Sequence, residues 1–185
     1  MKGAARSNMI LNFSERSVSA AVLLTNTGLP VYQVSTSTFG FKTKISKMDH
    51  STQNTVTMGV IDRQVLHTKT TLWGKDIELK GENYFSASRT FVASDNRRYK
   101  WKVSTVPLTL VTAERGEREM VAIFDSGSFS IFSKSRPMSL NVADKYMHIL
   151  DDIVMTCILI EQKSRKNSSN AGAAGGASAA GGSSC

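Results

Sequence analysis

Between Tyr146 and Lys163 the chain has a stretch with no polar face. Ile149, Leu150, Ile153, Val154, Cys157, Ile158 and Leu159 recur at helical spacing, while Met155 and Ile160 fill the opposite side. A helix that is apolar nearly all round has no surface to offer to water, so the rest of the chain must surround it. The run is short and β-branched, which leaves a buried strand as the alternative reading. Asp144, Asp151 and Asp152 precede it and Lys163, Arg165 and Lys166 follow it, the order that a helix macrodipole favours. The expectation is a buried helix over about residues 147–162. Its apolar centre, Ile153 to Ile160 with Thr156 as the one interruption, is too short to cross a bilayer, which takes about twenty residues.

What precedes this segment is suited to surrounding it. Short stretches alternate in period two and are rich in Thr, Val, Ile, Phe and Tyr, the pattern of half-buried strands. Thirteen are expected: Met9 to Phe13, Val18 to Thr25, Val31 to Thr36, Phe41 to Lys47, Thr55 to Ile61, Val65 to Leu72, Asp76 to Lys80, Arg89 to Ala93, Arg98 to Ser104, Leu108 to Thr112, Glu119 to Phe124, Phe129 to Ser133 and Met138 to Val142. Between them stand Asn26-Thr27-Gly28, Trp73-Gly74-Lys75, Asp95-Asn96, Arg115-Gly116-Glu117 and Asp125-Ser126-Gly127, residues that tolerate the backbone of tight turns. Pro30, Pro107 and Pro137 each fall at a strand start, where a missing donor does no harm. The fold class is mainly β, an antiparallel meander closed as a barrel or stacked as a sandwich.

The 185 residues allow one domain of ordinary size. It is expected over residues 8–162, after a disordered N-terminus (1–7) and before a disordered Gly/Ala/Ser-rich tail (163–185), whose composition cannot offset its ordering entropy. Two cysteines exclude a disulfide framework. Cys157 sits among Ile and Leu as a small core residue, and Cys185 ends the tail as an exposed thiol. The N-terminus lacks the apolar stretch of a secretory signal, and with no spanning segment the expected location is cytoplasmic, peripheral to membranes at most. A monomer is expected. The net charge of +8 overstates the basicity of the folded part, because residues 1–160 hold 20 basic and 14 acidic side chains.

Catalytic patterns are weak. Asp125-Ser126-Gly127-Ser128 lacks the glycine frame of a nucleophile elbow, and Gly74-Lys75 lacks the flanking residues of a phosphate loop. The pairs Asp151/Asp152 and Glu117/Glu119 read as solvated or capping carboxylates. His148 has no second ligand at helical spacing and His50, His67 and His148 are far apart, so neither metal nor other cofactor is expected. The chain is expected not to be an enzyme.

The informative segment is Arg97-Arg98-Tyr99-Lys100-Trp101-Lys102. In a strand Arg98, Lys100 and Lys102 line one face and Tyr99, Trp101 and Val103 the other. Lys42 and Lys44 alternate in the same way with Phe41, Thr43 and Ile45, and Lys134 with Arg136 forms another basic pair. If the strands are neighbours, these faces merge into a cationic patch for anionic lipid headgroups. Nucleic acid fits less well, since Tyr99 and Trp101 share the core face and are not stacking platforms.

Leu11-x-Phe13, Gly28-x-Pro30-x-Tyr32 leading to Ser35-Thr36, Arg89-Thr90-Phe91, Asp95-x-Arg97-x-Tyr99-x-Trp101-Lys102, Val121-Ala122-x-Phe124 and Ile149-Leu150-Asp151-x-Ile153-Val154-x-Thr156 occur in this order. The series resembles the signature of an uncharacterised domain family of mushroom-forming fungi, over most of residues 9–163. That family in turn resembles the tubby, LURP-one and phospholipid-scramblase group. The resemblance implies a β-barrel of about twelve strands closed around a hydrophobic C-terminal helix, and contact with phosphoinositides or membrane lipids. Asn96 replaces a turn glycine of the pattern, and Asp62-Arg63 replaces an expected aromatic. Two functions follow as expectations: a non-enzymatic module docking anionic phospholipid through Arg98, Lys100 and Lys102 with Lys42 and Lys44, or a protein-interaction scaffold without a lipid ligand.

Overall fold

The computed structural model describes residues 8–174 except 53, 65–66, 82–87, 104–106, 115, 117 and 128–135, and except the side chains of 167–174. The expectations for residues 1–7, the strand Phe129 to Ser133, Ser128, Lys134 and the end of the tail with Cys185 lie outside the described residues.

The strands are β1 (Asn8–Phe13), β2 (Ala20–Leu24), β3 (Pro30–Thr36), β4 (Lys42–Asp49), β5 (Asn54–Arg63), β6 (Thr68–Leu72), β7 (Lys75–Asp76), β8 (Lys80–Gly81), β9 (Arg89–Val92), β10 (Arg98–Lys102), β11 (Leu108–Thr112), β12 (Met120–Asp125) and β13 (Ser139–Ala143). Each pairs antiparallel with its chain neighbour from β1 to β7 and from β8 to β13, and β1 joins β13. The result is one sheet of 13 strands with β7 and β8 at its edges.

Those two edges are consecutive in sequence. Ile77, Glu78 and Leu79 alone separate them, and four peptide steps reach at most about 15 Å. In a sheet with an odd number of antiparallel strands the first and last run the same way, so β7 and β8 share a direction. They are two halves of the single strand expected over Asp76 to Lys80, the first half paired with β6 and the second with β9. The sheet is therefore brought round on itself by covalent continuity, with no ladder between its edges. Ile77 and Leu79 pack on the core while Glu78 is exposed, so the alternation continues across the seam.

The helix fills the space so formed. A 3-10 turn (Asp144–Ile149) leads into α1 (Leu150–Ala174). Every residue from Asp152 to Gln162 is buried, and the eight from Ile153 to Ile160 span more than two turns. No direction around the helix axis is left open to water. The buried-strand alternative is excluded, and the helix differs from expectation in extent: it begins at Leu150 and continues past Gln162 to Ala174. The change in composition at Lys163 marks the end of burial, not the end of the helix. Residues 163–174, expected in the disordered tail, are helical.

Polar groups inside the barrel are paired. Thr156, the one break in the apolar run, accepts the Trp101 indole N–H at 3.0 Å and donates to the Asp152 carbonyl at 2.8 Å. Trp101 and Tyr99 are fully buried, with Leu110 and Phe91 opposite them on the inner face. Where α1 passes β5 the sheet carries Gly59, whose missing side chain makes room: a Cβ there would lie 2.9 Å from Met155 Sδ and 3.1 Å from the Thr71 carbonyl oxygen. Beside it the β4–β5 register shifts between Ile45 and Ser46, the local bend that a bulge supplies to a closing sheet.

Two outcomes are expected in urea denaturation. Gly59→Val overpacks the helix–sheet contact and costs about 1–3 kcal/mol. Thr156→Val strands the buried indole donor and costs about 1–3 kcal/mol; combined with Trp101→Phe, which removes that donor, the two losses sum to less than additive.

Candidate functional site

In a meander, alternate connections share one end of the barrel. Gln162, the last buried residue of α1, donates to Ser19 and Thr43 at 3.3 Å and accepts from the Arg63 guanidinium. Arg165 donates to the Arg16 carbonyl at 2.9 Å. The β1–β2, β3–β4 and β5–β6 connections thus meet where α1 leaves the barrel, and the starts of β9, β11 and β13 and the end of β10 lie at the same end by the antiparallel order. The remaining turns meet at the helix N-terminus.

The N-terminal end gathers carboxylates, nearly all of them held. Asp151 accepts the Tyr32 hydroxyl at 2.6 Å, Lys47 Nζ at 2.9 Å and Trp73 Nε1 at 3.0 Å. Trp73 adopts φ 49°, a left-handed backbone that a non-glycine residue holds only under local restraint. Asp152 is 3% exposed and accepts the Ser94 N–H and hydroxyl at 3.1 and 2.7 Å; burial raises its pKa against those hydrogen bonds. Both residues therefore depart from the solvated reading of the pair. Asp95 accepts the Tyr99 hydroxyl at 2.7 Å, the Arg97 N–H at 3.0 Å and His148 at 3.2 Å. Partial burial opposes its ionisation, but these bonds prevail and its pKa is lowered. Glu119 holds Lys145 and Tyr146, both at 2.5 Å, and Glu114 holds Arg97 through two bonds. Burial, with Glu119 beside it, pushes the Tyr146 hydroxyl up to about 12. These groups serve as locks between the helix start and the strand turns.

The opposite end gathers cations. Arg16, Lys42, Arg63, Arg89, Lys102, Arg136, Lys163, Arg165 and Lys166 lie in its connections, at its strand ends or on the emerging helix, against Glu15, Asp62, Asp125 and Glu161. Two of those acids are paired, Glu161 with Arg165 at 2.7 Å and Asp125 with Arg136 at 3.5 Å. Lys163 has its pKa lowered by desolvation first and then by Arg89 and Arg63, which places like charges close together. Burial likewise lowers Arg63. A rim of this composition around the helix exit attracts anions.

The five residues expected to form the patch are divided by this geometry. Arg98, Lys100 and Lys102 alternate with buried Tyr99 and Trp101 on β10, and Lys42 and Lys44 alternate with buried Thr43 and Ile45 on β4. The faces point outward as expected, but β4 and β10 are separated by six strands along the sheet. They do not merge. Lys42 and Lys102 sit at the cationic end, Lys44 and Lys100 one step away from it, and Arg98 at the other end. The sequence reading missed Arg63, Arg89 and Arg16, which stand alone among other residue types. Their common signal is position: each falls in a connection or strand end on the same side of the meander.

Cys157 is fully buried and burial raises its thiol pKa well above the ordinary range, as fits an inert core residue. Asn96 takes φ 62°, the left-handed conformation that lets it replace the turn glycine. Arg63 and Asp62 end an unbroken β5 paired on both sides, and the Arg63 backbone and side chain tie the β3–β4 connection to Gln162. Among the described residues no helix is long and apolar enough to cross a membrane, and no group of three or more His, Cys, Asp and Glu is placed to hold a metal ion.

A family model covers residues 16–166, nearly the whole barrel with its helix. The chain belongs to the DUF6593 family of unknown function. No curated protein matches the sequence. Among solved structures, this DUF6593 chain is similar to an X-ray structure of a protein from Arabidopsis thaliana, with a TM-score of 0.50 and 11% identity over 88% of this chain and 95% of that one. At that identity the likeness is one of fold.

Replacing Asp95 by Asn tests the lock at the helix start. Because the folded-state pKa is lowered, the stabilisation is complete above about pH 5 and disappears as pH falls through the folded value. Asp95→Asn is expected to lower the melting temperature at pH 7, with the gap to wild type closing as pH falls below the ordinary carboxylate range.

Proposed function

We propose that this DUF6593 domain is a non-enzymatic binding module that docks anionic phospholipid headgroups at the cationic end of its barrel. The observation that carries the reading is the position of α1: the helix occupies the interior where a barrel would otherwise hold a small ligand, so binding belongs to the outer surface. The cations cluster around the helix exit, and Lys42, Lys102 and Lys163 belong to that cluster with Lys44 and Lys100 behind them. Arg98 lies at the far end and contributes little. Such a module works at the cytoplasmic surface of membranes as a peripheral protein.

Each basic side chain near an anionic bilayer contributes about 1 kcal/mol, or about fivefold in affinity. The test is co-sedimentation with phosphatidylcholine vesicles with and without 30% phosphatidylserine (about one lipid in three, enough for a marked surface potential). Binding is expected only to the anionic vesicles and to weaken with salt. Lys42→Ala with Lys163→Ala is expected to weaken it about 25-fold, and Arg98→Ala to leave it within about twofold. Equal binding to neutral vesicles, or binding indifferent to salt, would overturn the proposal.

A further inference from the structure

The β3–β4 connection at the cationic end carries two exposed phenylalanines. Phe39 is 83% exposed, the most of any large apolar residue among those described, and Phe41 is 57% exposed. They flank Gly40, whose φ of 72° is the left-handed turn conformation. Gly40 N–H donates to the Ser37 carbonyl at 2.7 Å and Ser37 N–H to the Lys42 carbonyl at 2.8 Å, which closes a tight hairpin with Thr38 and Phe39 at its tip. The Phe41 carbonyl accepts the Arg63 N–H at 2.7 Å. The tip is thus anchored to β5 and, through Arg63 and Gln162, to the end of the buried part of α1. Two aromatic rings are held in water by a braced turn, an arrangement that isolated surface apolar residues do not show.

The chemistry beside the rings says what would cover them. Lys42 and Lys44 follow directly in β4 and are exposed, and Arg63 lies across the same hairpin, with Asp62 opposite Lys42 as the one acid in this stretch of the ladder. Apolar tips backed by cations match a surface that is anionic outside and apolar a few ångströms deeper. That is the profile of an anionic bilayer, where rings leave water below the headgroups and the ammonium and guanidinium groups stay among the phosphates.

We infer that the Ser37–Phe41 hairpin is a membrane wedge: Phe39 and Phe41 enter the interfacial region of an anionic bilayer and fix the barrel with the helix exit facing the membrane. This deepens the reading of the rim as a lipid-docking surface and rests on it. Electrostatic attraction brings the domain to the surface, and ring burial resists its release. The orientation also points Lys163, Arg165 and Lys166 on the emerging helix toward the same headgroups.

The experiment uses the full chain with Phe39→Trp and vesicles carrying brominated acyl chains, with or without 30% phosphatidylserine, a level at which about one lipid in three is anionic. Trp73 and Trp101 supply a constant background measured in the parent protein. With anionic vesicles the added indole is expected to shift to the blue and to be quenched by bromine, with neither change on neutral vesicles. Phe39→Ala with Phe41→Ala is expected to weaken anionic-vesicle binding by at least about tenfold and to make the remainder fully releasable by salt. Both positions are exposed, so thermal unfolding of the variants should match wild type. Co-sedimentation that persists while the indole stays unshifted, and that the double alanine variant leaves unchanged, overturns the wedge and leaves the lipid-docking reading standing. No co-sedimentation with anionic vesicles overturns that reading and the wedge with it. If the double variant instead dissociates a dimer in sedimentation velocity at unchanged lipid binding, the rings belong to a protein interface and the wedge is likewise overturned.

Discussion

Eight consecutive helical residues shut off from water, Ile153 to Ile160, set the terms for everything else in this molecule. Because they span more than two turns, apolar surface must meet them from every side. A flat sheet or a sandwich cannot supply that; a sheet brought round on itself can. The bulge beside Gly59, the missing Cβ opposite Met155 and the strand shared between β6 and β9 each make that curvature achievable. Thr156 survives in the centre because Trp101 and the Asp152 carbonyl satisfy it.

Filling the interior with protein also separates the two ends by charge. Carboxylates lie around the start of α1, where the helix dipole favours them, and nearly all are engaged by hydroxyl, indole or cationic partners. Among the described residues, cations outnumber carboxylates around its exit. The first end reads as structural closure. The second is a surface with an electrostatic preference, and its braced aromatic hairpin adds an apolar component that charge alone does not explain.

Much of the architecture was legible because it rests on periodicity. Arg98 to Lys102 alternates in the structure as it does in the sequence, and the buried helix followed from its lack of a polar face. The closing strand was read as one piece, Asp76 to Lys80, but nothing in its residues says that its halves pair with different partners, Thr71 of β6 and Thr90 of β9, near opposite ends of the sheet order. Whether the basic faces would merge was not legible for the same reason: alternation assigns a face but not a neighbour, and β4 and β10 are separated by six strands along the sheet. The helix end was misplaced because composition reports burial. Backbone hydrogen bonding continued past Gln162 without an apolar face. Asp151 and Asp152 looked like ordinary charges at a helix start, and only the return of Trp73 and Ser94 from remote turns shows what they hold.

The most direct measurement is native-state amide hydrogen exchange, resolved by residue across α1 and the sheet. If the helix is the enclosed core, amides from Ile153 to Ile160 exchange only through global unfolding, with the same free energy and the same denaturant dependence as the β1–β13 ladder. Exchange of that helix by a lower-energy opening, while β1 and β13 stay protected, would mean that it can leave the barrel and would contradict its role as the element the sheet is built around.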